Sequence, residues 1–366
     1  GLPPYANDML GMLGLEETAL IRSLRHVDPV SSFRSTFAYT NITHLLAGRV
    51  VAKAAGAPDG DSVLRDELLH PLGMTESSYT ADAIMAAANH AEGHRWTPTG
   101  TVVVPFTQLF PYDFGGAGDI NSSVEDIARW VRLQLGNGVF EGRRIVSPEA
   151  LAFTRMPKVA LSDTVAYGFG WVLQQTPSGS IVWHNGGTSG FGAYVGMLPD
   201  KNIGIVVLTN ASNEGLPDAI GLWALERVLG NPTQDLAATA LSMARSRFET
   251  AEKMFARPAN GRPLPALAPL AGTFAHPSVG TAAVAPEGNG LVMELEWTGA
   301  KLKLEPWASD IFTAKLMPVG RFAAVAANLG PLPNGFVQVQ VDRDAKLNVL
   351  HLSFDDGQAY EFRRKE

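Results

Sequence analysis

The chain has 366 residues, 46% hydrophobic and 18% charged, with 37 glycines and 24 prolines, which excludes a disordered, collagen-like or coiled-coil protein and allows one large domain plus a smaller one. A net charge of -7, from 29 Lys and Arg against 36 Asp and Glu without a basic cluster, argues against nucleic acid or an anionic membrane as partner. The lack of cysteine excludes disulfides, thiolate zinc sites and thiol nucleophiles; it also suits an exported protein, periplasmic or secreted. No apolar run reaches the roughly 18 residues of a membrane span.

In chain order, residues 41–56 read as a helix with Ile42, Leu45, Leu46, Val50 and Ala54 on one face and Gly56 as its stop. Residues 122–135 read as a second helix. Its start is a capping box of Ser122 and Glu125, and its buried stripe is Val124, Ile127, Ala128, Val131 and Leu135. The period then changes to two. Four strands are expected at Tyr167–Gln174, Ile181–Gly186, Gly192–Leu198 and Ile203–Asn210, with turns at 176–179 and 199–202. An amphipathic helix follows over Asp218–Leu229, then a polar-faced helical connector over 236–257. Arg257–Pro269 is rich in proline and marks a boundary. Beyond it only strand signals are read, at Leu291–Trp297, Lys301–Pro306, Phe336–Asp342 and Asn348–Phe354, with turns at 342–344 and 355–357. The expected organisation is therefore a larger α+β domain over 1–235, a connector over 236–265 and a small antiparallel barrel over 266–366.

Three stretches carry candidate chemistry. In Tyr39-Thr40-Asn41 a phenol and an amide lie two residues apart at a helix start. Taken alone, the same triplet reads as a half-buried Tyr before an Asn cap. Trp183-His184-Asn185-Gly186-Gly187-Thr188 runs from a strand into glycines, which let a substrate backbone approach and leave amides free for an oxyanion. Gly115-Gly116-Ala117-Gly118-Asp119 is a flexible loop that delivers a helix. His90 and His94 have the spacing of a zinc helix but lack the Glu after the first His and include Gly93, so no metal is assigned; no phosphate or dinucleotide fingerprint occurs, and no cofactor is expected. Trp96, Trp130, Trp171 and Trp297 read as core or cleft-wall aromatics.

In their order and spacing these stretches resemble the penicillin-recognising serine hydrolases, the group of class C β-lactamases, carboxyl-esterases and D-aminopeptidases. The neighbouring His70-Pro71-Leu72-Gly73-Met74-Thr75 and the apolar run Ile205–Asn210 agree with that resemblance, which covers residues 1 to about 230. It implies a β-lactamase-type α+β domain with a lipocalin-like barrel appended, and acyl transfer through a serine ester. The family's nucleophile is the Ser of Ser-x-x-Lys, and no serine here has Lys three residues on; Ser31, Ser62 and Ser242 have Arg there. Gly1-Leu2-Pro3 resembles a segment that follows the nucleophile helix in the family. The expectation is that a separate N-terminal segment supplies Ser-x-x-Lys as a partner.

On this resemblance Tyr39 is the general base together with that lysine, Asn41 holds the substrate amide, and the Gly187 amide is one oxyanion donor. Asn185, Gly186 and Thr188 on the same strand, with Gly118 on the glycine loop, are the expected substrate contacts. Tyr39 and His184 should share one cleft, and the barrel should border it. An ordinary phenol has a pKa near ~10, so Tyr39 needs a nearby cation to act as a base. The family's Lys is replaced by His184, which is mostly neutral at pH 7. The expected substrate is thus a small peptide or amide, with an ester second. A binding module of the same fold that has lost catalysis is the alternative.

Overall fold

The computed structural model describes residues 1–231, 234–259, 266–341, 347–354 and 357–365. The helix at the first candidate motif, α1 (Ile42–Ala55), closes on Gly56 in the left-handed region at φ 66, a conformation glycine adopts without Cβ strain. Its buried stripe is Ile42, Leu45 and Ala52, narrower than the face expected. At about 100° per residue Leu46 and Val50 fall to one side of that stripe, and they are 40% and 67% exposed. A hairpin, β1 (Gly93–Thr97) and β2 (Gly100–Val104), follows. It places His94 on a strand and not on a helix shared with His90, which removes the basis of the zinc spacing. Among the described residues no cluster of His, Asp or Glu could hold a metal ion.

The next helix, α2 (Val124–Leu135), is capped one residue later than expected. Ser123 Oγ accepts from the Asp126 amide, while the Ser122 hydroxyl is engaged with Ser77 Oγ at 2.8 Å. A six-stranded antiparallel meander is then laid down by β3 (Val159–Ala160), β4 (Val165–Tyr167), β5 (Val172–Thr176), β6 (Gly179–Thr188), β7 (Phe191–Leu198) and β8 (Ile203–Thr209), in the order β8-β7-β6-β5-β4-β3. The single strand expected over Tyr167–Gln174 is two. Gly170 at φ +80 breaks the run, and β4 and β5 pair with each other across the break.

Helices cover both faces of the sheet. Trp171, Leu173, Val182 and Met197 pack towards α2, whose Trp130 stacks on Trp171 at 5.3 Å. Ile181, Tyr194 and Leu198 pack against Leu225 of α3 (Leu216–Leu229), which leads to α4 (Leu236–Phe255). Gly221 of α3 lies flat on the Tyr194 ring, and a Cβ there would be 2.1 Å from a ring carbon. Tyr194 is itself stacked on Trp183 at 5.5 Å and has no room to retreat. Gly221→Ala gains about 1 kcal/mol of helix propensity but forces overpacking worth about 1–3 kcal/mol. We expect a lower urea midpoint; an equal or higher one would show that the Tyr194 ring yields.

Residues beyond the connector form a closed eight-stranded barrel: β9 (Gly272–His276), β10 (Gly280–Glu287), β11 (Gly290–Leu295), β12 (Ala300–Ala308), β13 (Ile311–Leu316), β14 (Gly335–Val341), β15 (Leu347–Phe354) and β16 (Ala359–Arg364). β16 returns to β9 through Phe274–Arg364 and Ala275–Arg363. Four of these strands match the expected ones. Strands β9, β10, β13 and β16 were not foreseen, nor was a helix, α5 (Ala323–Leu329), where only strands were expected. Part of the proline-rich boundary, the turn at 342–344 and Asp355-Asp356 lie outside the described residues. The interior is filled by side chains such as Phe274, Met293, Leu302, Phe312, Leu350 and Phe362, as eight strands permit.

The barrel core does not stand apart from the rest. It is continuous with Met9, Leu10, Leu13, Leu20, Ile42, Leu45 and Phe114 of the N-terminal region. Polar contacts reinforce this: Tyr360 Oη donates to Asn7 Oδ1 at 3.0 Å, Asn7 Nδ2 donates to Ser23 Oγ at 2.7 Å, and Gln358 reaches the Pro4 carbonyl. The barrel therefore braces the segment around residues 4–7, which borders Tyr39. Among the described residues no helix is long and apolar enough to cross a membrane.

Candidate active site

Asn41 is already in helical conformation and caps nothing with its side chain. Its Nδ2 instead donates to Asp8 Oδ2 at 2.6 Å. Two residues earlier, the Tyr39 carbonyl accepts from the Tyr5 amide at 2.7 Å, and the two rings lie 5.8 Å apart. Tyr5 sits at φ 54, a left-handed conformation that costs a bulky residue strain, and its ring is half exposed beside Tyr39. The bracing of Pro4 and Asn7 by the barrel holds that conformation.

The second motif meets the first here. The His184 and Tyr39 rings are 6.4 Å apart, as are those of Tyr39 and His44. His184 Nδ1 is 2.6 Å from the Asn185 carbonyl, which can only accept, so Nδ1 carries the proton. Burial lowers the His184 pKa, against a smaller opposing effect of the Asn185 carbonyl, so the ring is neutral at pH 7. Its Nε2 is therefore an acceptor, and Tyr167 Oη donates to it at 2.9 Å. Phe37 packs on Tyr167 at 5.0 Å and extends the aromatic wall.

The electrostatics run against an easily ionised phenol. Tyr39 is raised by burial first, then by the neighbouring Tyr5 and Asp8. Tyr167 is pushed up to about 12 by burial and by Tyr39. His44 is lowered by burial, so neither imidazole offers Tyr39 a positive charge at neutral pH.

Strand β5 accompanies β6 only between Gly179 and Trp183, so among the described residues the edge of β6 from His184 to Thr188 is unpaired on that side. Such an edge can take an extended substrate. Gly187 lies on it, and the Gly118 loop reaches its end, with a Cβ at Gly118 falling 3.7 Å from Thr188 Cγ2. Asp119 anchors that loop by accepting from the Gly116 amide at 2.9 Å, and burial with Asp61 nearby pushes its carboxyl up to about 6. Asn185 differs from the expectation: its Nδ2 donates to Asp218 Oδ1 at 2.6 Å, at the start of α3. The Gly186 carbonyl accepts from Asn213 Nδ2 at 3.0 Å.

The structure thus brings Tyr39 beside His184 and next to Asn41, and sets the Gly115–Gly118 loop against Thr188 and the His44 carbonyl. It adds Tyr5, Asp8, His44 and Tyr167, none of which sequence reasoning singled out. Tyr167 had a usable signal as an aromatic at a strand end just before glycines; Asp8 and Tyr5 had none, because only the tertiary fold brings them to the motif.

A family model described as Beta-lactamase matches residues 1–230. Among relatives, penicillin-binding protein 4 of Amycolatopsis lactamdurans is 25% identical over 246 residues, covering 66% of this chain and 60% of that protein. The unguisins hydrolase ungD' of Aspergillus campestris is 28% identical over 205 residues, covering 53% of this chain and 36% of that protein. The chain thus spans between about a third and two thirds of these proteins' lengths. In fold, the octameric penicillin-binding protein homologue from Pyrococcus abyssi aligns with 99% of this chain and 76% of its own, at a TM-score of 0.56 and 21% identity. A family match over more than half the sequence, in a chain whose helix-flanked antiparallel meander sets the Tyr39 and His184 rings 6.4 Å apart, settles the assignment: this chain belongs to the Beta-lactamase family.

Proposed function

We propose that the chain forms part of a serine hydrolase that cleaves small peptide or amide bonds through an acyl-enzyme, its nucleophilic serine and paired lysine coming from a segment outside these 366 residues. One observation carries the reading: Tyr39 lies 6.4 Å from the His184 and His44 rings with its pKa raised, and neither histidine, lowered by burial, supplies at pH 7 the cation that a phenol base requires. The lysine of Ser-x-x-Lys would fill that need. In this reading Tyr39 takes the serine proton and returns it to the leaving group. Asn41, oriented by Asp8, donates to the substrate amide carbonyl, and the Gly187 N–H receives the oxyanion.

Two open apolar surfaces of this domain are consistent with a further segment packing on it. Leu46 and Val50 of α1 are exposed, and β8 has a partner on one side only among the described residues, with its apolar Ile203 and Leu208 open. A neutral residue at 184 favours uncharged amides over carboxylated ligands. A periplasmic or secreted setting is part of the proposal and rests on the absence of cysteine.

The test is to read the gene upstream of Gly1, express that sequence with the chain, and treat the product with a fluorophosphonate and with chromogenic amides and esters. A covalent adduct on a Ser-x-x-Lys serine, with amide turnover, is the expected result. Ester turnover alone would make the protein an esterase. If the upstream sequence encodes no such motif, or no adduct forms, the cleft is a binding site and the catalytic reading falls.

A further inference from the structure

Behind the exposed edge of β6 lies a polar cluster with no part in the chemistry described so far. Asp218, in the first turn of α3, accepts from Asn185 Nδ2 at 2.6 Å and from Asn213 Nδ2 at 3.1 Å. The second Asn213 Nδ2 proton goes to the Gly186 carbonyl at 3.0 Å, and Asn213 Oδ1 accepts from the Gly215 amide at 2.8 Å. Every donor and acceptor direction of the Asn213 amide head that these contacts use is fixed, so its rotamer is fixed too. The backing is tight, since a Cβ on Gly187 would lie 3.1 Å from Asn213 Cβ.

A trans peptide carries its carbonyl and N–H on opposite edges of one plane. Gly186 already pairs with Ala193 in the β6–β7 ladder, and the Asn213 bond adds a side-chain hold on the same carbonyl, so the two together orient the Gly187 N–H. Its direction follows from the strand. Backbone groups of residues i and i+2 leave a strand on the same edge. The Asn185 carbonyl meets the His184 ring, which is bonded to Tyr167 of β4 on the β5 side of the strand. The Gly187 N–H shares that edge, the one left unpaired beyond Trp183.

We infer that Asn213 and Asp218 are positioning residues that help aim the Gly187 N–H at the acyl site: the carboxylate fixes the amide, and the amide, together with the ladder partner Ala193, fixes the peptide plane. This rests on the proposed hydrolase reading for its catalytic consequence but not for its geometry. It also gives Asn185 a place as the second arm of the Asp218 clamp.

The geometry has a direct readout, because Gly-Gly occurs only twice in the sequence, at Gly115-Gly116 and Gly186-Gly187. In protein labelled with carbonyl-13C and 15N glycine alone, a carbonyl-to-amide correlation spectrum shows those two pairs and no others. Asn213→Ala and Asp218→Asn should move the Gly186-Gly187 signal and leave Gly115-Gly116 in place. Asp218→Glu, which keeps the carboxylate, should return it towards its original position. A Gly186-Gly187 signal unmoved in Asn213→Ala overturns the clamp whether or not the protein is an enzyme. In protein complemented with its Ser-x-x-Lys segment, Asn213→Ala should lower kcat by about 10- to 100-fold with KM within about threefold, short of the roughly 100- to 1000-fold seen when an oxyanion donor is removed outright. A moved signal with unchanged kcat overturns the catalytic aim of the clamp. If the unaltered complemented protein turns over nothing, the hydrolase reading fails, and the spectra alone still decide the geometry.

Discussion

Tyr39→Phe is expected to lower kcat by two to three orders of magnitude in the complemented protein while leaving its unfolding midpoint nearly unchanged. The substitution removes one hydroxyl and keeps the ring that packs between Tyr5, His44 and His184. Proton transfer by a positioned base is worth roughly 100- to 10,000-fold, so a loss in that range identifies the phenol as the base. The raised pKa sharpens the test. If the lysine of the complementing segment supplies the cation, Tyr39 ionises at lower pH in the assembled protein than in the chain alone. The ultraviolet absorbance that tracks phenolate formation should therefore shift to lower pH on complementation, and Tyr39→Phe should abolish that component. Unchanged kcat in Tyr39→Phe removes this residue from the mechanism, and an unshifted titration removes the lysine as its cation source.

How far the sequence reached depends on what each element is held by. Strands β6, β7 and β8 and helix α3 were legible because their apolar periodicity is strong and their turns are chemically marked, as at Thr176–Gly179 and Pro199–Asn202. The break in the Tyr167–Gln174 run was less visible: its glycines are tolerable within a strand, and only the pairing of β4 with β5 shows that the chain turns there. In the barrel, β10 reads Gly-Thr-Ala-Ala-Val-Ala, too rich in alanine to alternate clearly, and β9 and β16, each a short strand paired along β10 or β15, meet each other at only two positions across the closure.

The site divides along the same line. Tyr39, Asn41 and His184 stood out as candidates because they belong to local motifs. The groups that set their behaviour come from elsewhere in the chain: Asp8 orients Asn41, Tyr167 fixes the His184 tautomer, and Asn213 holds the Gly186 carbonyl. Long-range hydrogen bonds of this kind leave no periodic trace. The same gap explains Asn185, whose position in the motif suggested a substrate contact but whose amide is turned to Asp218 on α3.

His184→Lys is expected to convert a cleft indifferent to carboxylates into one that prefers them. In the native protein both imidazole nitrogens are engaged, one donating to the Asn185 carbonyl and one accepting from Tyr167, and burial keeps the ring neutral. Because its pKa lies below the ordinary ~6.5, a positive charge at this position appears only in acid, and affinity for a carboxylated ligand should rise relative to its neutral amide only as pH falls well under that value. A lysine starts from about 10.4. Full burial lowers such a group by up to 3–5 pKa units, and residue 184 is only partly buried, so the ammonium stays charged at pH 7. Two charges 4 Å apart near a protein surface attract by about 4 kcal/mol before desolvation is subtracted. A surviving third of that is about tenfold in affinity. Calorimetric titration of paired carboxylate and amide ligands from about pH 5 to 8 should show that ratio in His184→Lys, flat across the range, and near unity at neutral pH in the native protein. The new cation should also draw the Tyr39 phenol down, moving the rising limb of kcat/KM to lower pH. If the ratio is the same in both proteins at every pH, residue 184 does not meet the substrate's charged end, and the preference for uncharged amides has to come from another part of the cleft.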